Sequence, residues 1–256
     1  MLTRAIVRPP AATFAQGLTA AALGAPDLAL ALVQHERYCA ALERCGLTLA
    51  CLPPDPGFPD STFVEDAAIL TGRGAILTRP GAPSRQGEVA SIAASLVAFF
   101  ADVEAIEAPG TVDGGDICQA GEHFLIGLSP RTNEPGASQL AALLATQGFT
   151  SAYIDIRGMR GLLHLKTGLS WLGDGRVAAI DALAAHPALA GYEIVRVDAA
   201  ESYAANCLRI NEHVVLAAGH PRFEAAVRAL GLPTIALDLS EFRKMDGSLT
   251  CLSLRF

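Results

Sequence analysis

Ile117-Cys118-Gln119-Ala120, then Gly121-Glu122-His123, then Phe124-Leu125-Ile126-Gly127: this stretch reads as a strand, a tight turn and a second strand. A helical pattern follows over residues 135–147. The same unit recurs on both sides. Upstream, Val64-Glu65-Asp66-Ala67-Ala68-Ile69-Leu70 and Ala75-Ile76-Leu77-Thr78 flank Thr71-Gly72-Arg73-Gly74, and a helix is predicted over 88–100. Downstream, Leu169-Ser170-Trp171-Leu172 and Val177-Ala178-Ala179-Ile180 flank Gly173-Asp174-Gly175-Arg176. A fourth copy pairs Cys207-Leu208-Arg209-Ile210 with Val214-Val215-Leu216-Ala217 across Asn211-Glu212-His213, with a helix over 222–230. The fifth is split: Thr250-Cys251-Leu252-Ser253-Leu254-Arg255 would pair with Ala5-Ile6-Val7-Arg8, and a helix over 29–45 would complete it. Five such units, one closed by both ends of the chain, predict a ring with pseudo-fivefold symmetry. The alternative is an ordinary α/β domain whose hairpins resemble one another by chance.

Composition narrows the function classes. The 256 residues are 51% hydrophobic and 18% charged, enough to bury a sizeable core. No apolar run reaches the ~18 residues a membrane span needs. Arg8, Pro9 and Pro10 interrupt the first apolar stretch, so no signal peptide is expected and cytoplasmic residence is. A formal net charge of −7 argues against a nucleic-acid partner and suits a cationic ligand. Six cysteines occur without a Cys-x-x-Cys spacing, and reduced thiols are the reading taken.

Reactive residues fall at the mouths of the repeats. Asp60, Glu65 and Asp66 open the first, and Asp113 and Asp116 the second. His164 precedes the third, Asn206 opens the fourth, and Asp246 and Cys251 open the fifth. In a ring these positions converge on one pocket holding a thiol, an imidazole and several carboxylates. Such a set suits nucleophilic attack on a guanidinium carbon: carboxylates hold the cation, and histidine serves the leaving amine and then water. Each residue also has a plain structural reading. Cys251 sits in an apolar run, His164 lies between leucines, and Asp113 and Asp116 flank a Gly-Gly turn. No single residue decides between the two.

The combination resembles the dimethylarginine dimethylaminohydrolases, especially their short bacterial members. The resemblance runs in order through Phe58-Pro59-Asp60-Ser61-Thr62-Phe63-Val64-Glu65-Asp66, Thr78-Arg79-Pro80-Gly81-Ala82-Pro83-Ser84-Arg85 and Thr111-Val112-Asp113-Gly114-Gly115-Asp116. It continues through Ile126-Gly127-Leu128-Ser129-Pro130-Arg131-Thr132-Asn133, Leu163-His164-Leu165-Lys166-Thr167-Gly168 and Lys244-Met245-Asp246-Gly247-Ser248-Leu249-Thr250-Cys251. It implies a single domain over residues 1–256 of the pentein class, a five-bladed α/β propeller. It implies hydrolysis of asymmetric dimethyl-L-arginine and monomethyl-L-arginine to L-citrulline and the alkylamine through a Cys-linked thiouronium. No metal or organic cofactor is implied. The partners implied are a small-molecule substrate, methylated L-arginine, with a homodimer compatible; nucleic acid and membrane are not.

Roles carried over by the resemblance are as follows. Cys251 is the nucleophile, His164 the acid/base, and Asp113 the group that orients His164 and contacts the guanidinium. Many bacterial relatives carry Glu at that place, so the shorter Asp requires adjusted geometry. Asp66 binds guanidinium nitrogens and Glu65 assists it. Arg85 and Arg131 clamp the α-carboxylate, and Asp60 takes the α-ammonium. Phe63 walls the pocket, Leu18 lies in a covering loop, Asp246 is a minor contact, and Asp116 is structural. Arginine deiminases and amidinotransferases are alternatives of the same chemistry, but both are longer, and the deiminases carry His-x-Asp where this chain has His164-Leu165-Lys166. A non-catalytic pentein-like binding protein has no reason to keep the whole polar set.

Overall fold

The computed structural model describes residues 1–256. Its strands, in chain order, are β1 (Arg4–Val7), β2 (Thr48–Cys51), β3 (Ala68–Thr71), β4 (Gly74–Leu77), β5 (Val103–Ala105), β6 (Ile117–Ala120), β7 (His123–Leu128), β8 (Thr150–Asp155), β9 (Leu169–Gly173), β10 (Arg176–Ile180), β11 (Glu193–Val197), β12 (Leu208–Ile210), β13 (His213–Ala217), β14 (Thr234–Leu237) and β15 (Ser253–Arg255). Its α-helices are α1 (Leu28–Arg44), α2 (Val89–Leu96), α3 (Glu134–Thr146), α4 (Asp181–Ala184), α5 (Pro221–Ala229) and α6 (Ser240–Arg243).

The strands form five three-stranded sheets, the number the repeat predicts. Each contains an antiparallel pair. Four are hairpins: β3 with β4, β6 with β7, β9 with β10, and β12 with β13. The fifth joins the two ends of the chain, with Ala5 opposite Arg255 and Ile6 opposite Leu254. The hairpin tips need left-handed backbone, supplied by Gly121 (φ 68), by Asp174 and Gly175 (φ 51 and 75) and by Asn211 (φ 49).

A third strand lies beside each pair, as the ββαβ units of the pentein class imply, although the repeat pattern of the residues does not place it. It runs parallel to its neighbour in β1–β2, β4–β5, β7–β8 and β13–β14. Parallel neighbours require a crossover, and α1, α2, α3 and α5 provide it. These return strands are short and partly exposed, β2 and β5 in particular, so they carry no clean alternation to read.

The crossover helices begin where capping residues stop the preceding chain. Asp27 Oδ1 accepts from Ala29 N at 2.8 Å and from Leu30 N at 3.1 Å at the start of α1. Asn133 does the same for α3 through Gly136 N at 2.8 Å, with Pro135 in its first turn. Buried Ala31, Gln34, His35, Tyr38, Ala41 and Leu42 recur at three- and four-residue spacing, which fixes the inner face of α1. The predicted helix over 88–100 is instead a 3-10 segment, Pro83–Glu88, running into the shorter α2.

Two predicted strands begin later than the sequence reading placed them. Val64–Ala67 and Thr250–Leu252 are 3-10 turns, and strands follow only from Ala68 and Ser253. Cys251 therefore sits in a turn. At Thr250–Leu252 the cause is competition for backbone groups, and the same device recurs at the Gly114–Asp116 and Leu165–Thr167 turns. Asn206 Oδ1 accepts from Thr250 N at 3.0 Å, and Asn206 Nδ2 donates to Thr250 Oγ1 at 3.0 Å. Asp66 Oδ1 takes Gly115 N at 2.8 Å, and Asp116 Oδ1 takes Leu165 N at 2.9 Å. A polar side chain from one repeat thus binds the N–H that would otherwise join a ladder in the next.

The chain divides into two compact units, Met1–Val64 with Val197–Phe256, and Glu65–Arg196. In the first, Phe14, Tyr38, Leu42, Phe63, Ile210, Phe242, Leu249 and Leu252 share one core. The rings of Phe14 and Phe242 lie 5.6 Å apart, and those of Phe14 and Phe63 6.0 Å. Tyr38 is fully buried; its hydroxyl donates to Leu249 O at 2.9 Å and lies 2.6 Å from Ser253 Oγ. Helix α1 thereby fixes both flanks of the turn that carries Cys251. In the second unit, Ile76, Phe124, Ile126, Leu140 and Leu144 form one cluster, and Leu125, Ile154, Leu165, Leu169 and Val177 another.

Candidate active site

The second unit gathers seven of the residues singled out in the sequence: Glu65, Asp66, Arg85, Asp113, Asp116, Arg131 and His164. Asp113 and His164 each stand immediately before a 3-10 turn, Gly114–Asp116 and Leu165–Thr167. His164 Nε2 is 3.0 Å from Asp113 Oδ2. The other oxygen, Asp113 Oδ1, accepts from Gly81 N at 2.8 Å, so the carboxylate is held on both sides. Arg131 Nη1 lies 3.7 Å from Asp113 Oδ2. Gly115 is required here: a Cβ on it would come within 2.6 Å of His164 Nδ1.

Asp66 completes the cluster. Donor atoms of Asp66, Asp113 and His164 lie within 4.8 Å of one another, and all three residues are buried. Burial alone would neutralise Asp66, but His164, Arg85 and the Gly115 N–H outweigh it and hold the carboxyl below its usual range. Burial likewise works against a charged His164. Asp66, Asp113 and Asp116 reverse that and raise its pKa to about 9. At neutral pH the group is an imidazolium held by carboxylates.

Three such donors could in principle take a metal ion. Here a protonated His164 has no lone pair to offer a metal, and Asp66 Oδ2 is already engaged by Arg85. The arrangement suits binding and protonating an organic cation.

Arg85 departs from the simplest expectation. Its guanidinium donates to Asp66 Oδ2 at 2.5 Å and to Glu88 Oε2 at 2.8 Å, and the residue is only 5% exposed. Its evident work is to hold Asp66 ionised and oriented. Arg131, with its side chain 19% exposed, is the more accessible of the two arginines. Glu65 pairs with Lys166 at 2.5 Å, both largely buried. Lys166 and Glu88 were not singled out in the sequence; the i, i+3 spacing of Arg85 and Glu88 on a helical turn is the signal that could have found the latter.

The first unit holds Leu18, Asp60, Phe63, Asp246 and Cys251. Asp60 accepts from Leu18 N with both oxygens at 3.1 Å. Asp246 Oδ2 accepts from Ala20 N at 2.6 Å and from Thr19 Oγ1 at 3.2 Å. The two carboxylates pin the loop around Leu18, whose side chain remains 43% exposed. Phe63 is only 5% exposed and packs on Phe14 and Phe242, so within this unit it is a core residue. Cys251 is half-buried, its turn held by Asn206 and Tyr38 as described above. All six cysteines are free thiols.

Known proteins resemble this chain along its whole length. An arginine deiminase family model matches residues 54–186. The N(G),N(G)-dimethylarginine dimethylaminohydrolase of Pseudomonas aeruginosa is 45% identical over 257 residues, covering 100% of both chains. A solved structure of the Pseudomonas aeruginosa enzyme, a cysteine-to-serine variant complexed with citrulline, superposes with a TM-score of 0.97 at 44% identity and full coverage of both chains. A dimethylarginine dimethylaminohydrolase histidine-to-glycine variant, solved as an adduct with S-methyl-L-thiocitrulline, gives 0.96 at 44% identity, again covering 100% of each chain. The fold is that of these structures, the pentein class that the five repeats and the sequence motifs anticipate.

Proposed function

The chain belongs to the dimethylarginine dimethylaminohydrolase family, and on that premise we propose that it hydrolyses asymmetric dimethyl-L-arginine and monomethyl-L-arginine to L-citrulline and the alkylamine. The observation that carries this reading is the buried Asp66–Asp113–His164 cluster, which combines two carboxylates with an imidazolium. A guanidinium is planar, cationic and resonance-stabilised, so its carbon resists attack. Carboxylates that hold its nitrogens fix the plane of the cation and orient its carbon for attack.

The proposed sequence is as follows. Cys251 loses its thiol proton to solvent as the cationic substrate binds, and the thiolate Sγ bonds to the guanidinium carbon while the C=N π pair moves onto nitrogen. His164 gives its proton to the dimethylamino nitrogen, the C–N bond breaks, and dimethylamine leaves. The substrate carbon is now a thiouronium on Cys251. The neutral imidazole takes a proton from water, whose oxygen bonds to the same carbon. The C–S bond breaks with its electron pair on sulfur, the hydroxyl proton of the tetrahedral species passes to that sulfur as the C=O forms, citrulline leaves, and the thiol is regenerated. A histidine with a raised pKa suits the first protonation. Asp113 fixes the ring, and Asp66 and Asp113 hold the cation. The family likeness to a cysteine-to-serine variant complexed with citrulline supports Cys251 as the nucleophile.

Arg131 is read as the principal contact for the α-carboxylate, with Arg85 assisting it and steadying Asp66. Asp60 is read as the site for the α-ammonium. It already accepts the Leu18 N–H, so an ammonium there would tie substrate to the covering loop. Phe63 backs this region, Glu65 is set by Lys166, and Asp246 supports the loop. On this reading residues 1–256 act as one domain, without metal or organic cofactor, in the cytoplasm. No helix is long and apolar enough to cross a membrane.

Arginine is the competing substrate, since an arginine deiminase model matches half the chain. Lys166 stands where the deiminases carry a second Asp, and it is engaged by Glu65. A panel of asymmetric dimethylarginine, monomethylarginine, arginine and agmatine, with citrulline and released amine quantified, separates the two. The methylated substrates should give the higher kcat/KM. A clear preference for arginine, with ammonia as product, would replace the reading by a deiminase.

A further inference from the structure

Asp116 stands at the end of the Gly114–Asp116 turn, and the sequence reading gave it a purely structural part. It is completely buried. Its two oxygens serve two different segments. Oδ1 accepts from Leu165 N at 2.9 Å, the residue next to His164. Oδ2 accepts from Ser129 Oγ at 2.6 Å. Ser129 Oγ in turn accepts from Arg131 N at 2.9 Å and from Thr132 N at 3.1 Å. Thr132 Oγ1 then accepts from Asp113 N at 3.1 Å. One carboxylate therefore lies at the junction of the segments that carry His164, Arg131 and Asp113.

We propose that Asp116 is a positioning residue for the reaction, fixing the His164 turn with one oxygen and the Arg131 turn with the other. The proposal rests on the reading of His164 as acid/base and Arg131 as substrate contact. Burying a carboxylate costs several kcal/mol unless its lone pairs are bound. A neutral side chain could close the same turns at lower cost. The charge has a use in that it faces His164. The groups around that imidazole are the carboxylates of Asp66, Asp113 and Asp116, with Arg85 bound to Asp66 and Arg131 beside Asp113. Asp116 is thus both a mechanical and an electrostatic support.

Two variants separate the two branches. Asp116→Asn keeps an acceptor for Leu165 N and an amide that can reach Ser129, but removes the charge. Ser129→Ala leaves the bond from Asp116 to Leu165 in place and cuts the branch to Arg131. The His164 ring is followed by NMR titration, assigned with His164→Gln, alongside kcat and KM. For Asp116→Asn the imidazole midpoint should fall by about half a unit or more, with kcat down about tenfold. For Ser129→Ala the midpoint should stay, kcat should stay within about twofold, and KM should rise about fivefold. An unmoved midpoint with kcat and KM within about twofold in Asp116→Asn would overturn the proposal. So would a Ser129→Ala enzyme whose apparent kcat falls in step with its folded fraction while KM stays within about twofold. Failure of the underlying site reading looks different: His164→Gln would keep turnover, while the NMR shift in Asp116→Asn would stand.

Discussion

His164 Nε2 lies 3.0 Å from Asp113 Oδ2, and Asp113 is fully buried. A buried imidazole facing three carboxylates binds its proton tightly. Its pKa rises from the ordinary 6.5 to about 9. The folded value lies above the unfolded one, so the stabilisation is complete below about pH 6.5 and is lost as pH climbs through 9. Wild type should therefore lose up to about 3 kcal/mol of stability relative to His164→Gln over that interval. Denaturant melts of both proteins at pH 6 and pH 9.5 check this, and parallel stabilities at the two pH values would contradict it. Activity should decline over the same upper range, as the acid for the leaving amine is lost.

The two arginines should separate under substitution. Arg131 is partly accessible and contributes no short ion pair, so Arg131→Ala should raise KM about tenfold to a hundredfold, as loss of a charged hydrogen bond does, with little effect on folding. Arg85→Ala strands the buried carboxylates of Asp66 and Glu88, which costs about 3–5 kcal/mol. Steady-state kinetics and thermal melts on both variants read the difference. Equal effects on KM with unchanged melting would show that Arg85 is no structural partner of Asp66.

Tyr38 anchors the Cys251 turn from α1. Tyr38→Phe removes the bonds to Leu249 O and to Ser253 Oγ, which keeps the one from Arg255, at a cost of about 1–3 kcal/mol. The melting temperature should fall by several degrees, and kcat should drop further than KM changes. A variant with wild-type melting and kcat would remove Tyr38 from the support of the nucleophile.

A chelator should leave activity intact. At the one cluster dense enough to bind a metal, protonated His164 has no lone pair to give and Asp66 Oδ2 is already engaged by Arg85. Activity lost on dialysis against a chelator and restored by one divalent metal would overturn the cofactor-free mechanism.

The parts of this molecule legible in its sequence are those set by local pattern. The continuous apolar run Phe124-Leu125-Ile126 and the left-handed glycine at 121 write the hairpin β6–β7 directly. Asp113 and His164 were legible because the motifs around them are short and specific. The 3-10 turns were not, because their partners are remote: Asn206 meets Thr250 across 44 residues, and Asp116 meets Leu165 across 49. Nothing near Thr250 says that its N–H is already bound, so the apolar run reads as strand. The ion pairs of Arg85 are not legible for a related reason. A guanidinium motif identifies a charge, and only packing shows that Asp66 and Glu88 already occupy it.

The central claim is that substrate carbon is carried on Cys251. Rapid mixing with asymmetric dimethylarginine, acid quench and peptide mapping by mass spectrometry test it directly. The peptide containing Cys251 should gain the mass of dimethylarginine less dimethylamine, before citrulline reaches steady state. Citrulline released at full rate with no adduct on that peptide, or by Cys251→Ser, would contradict it.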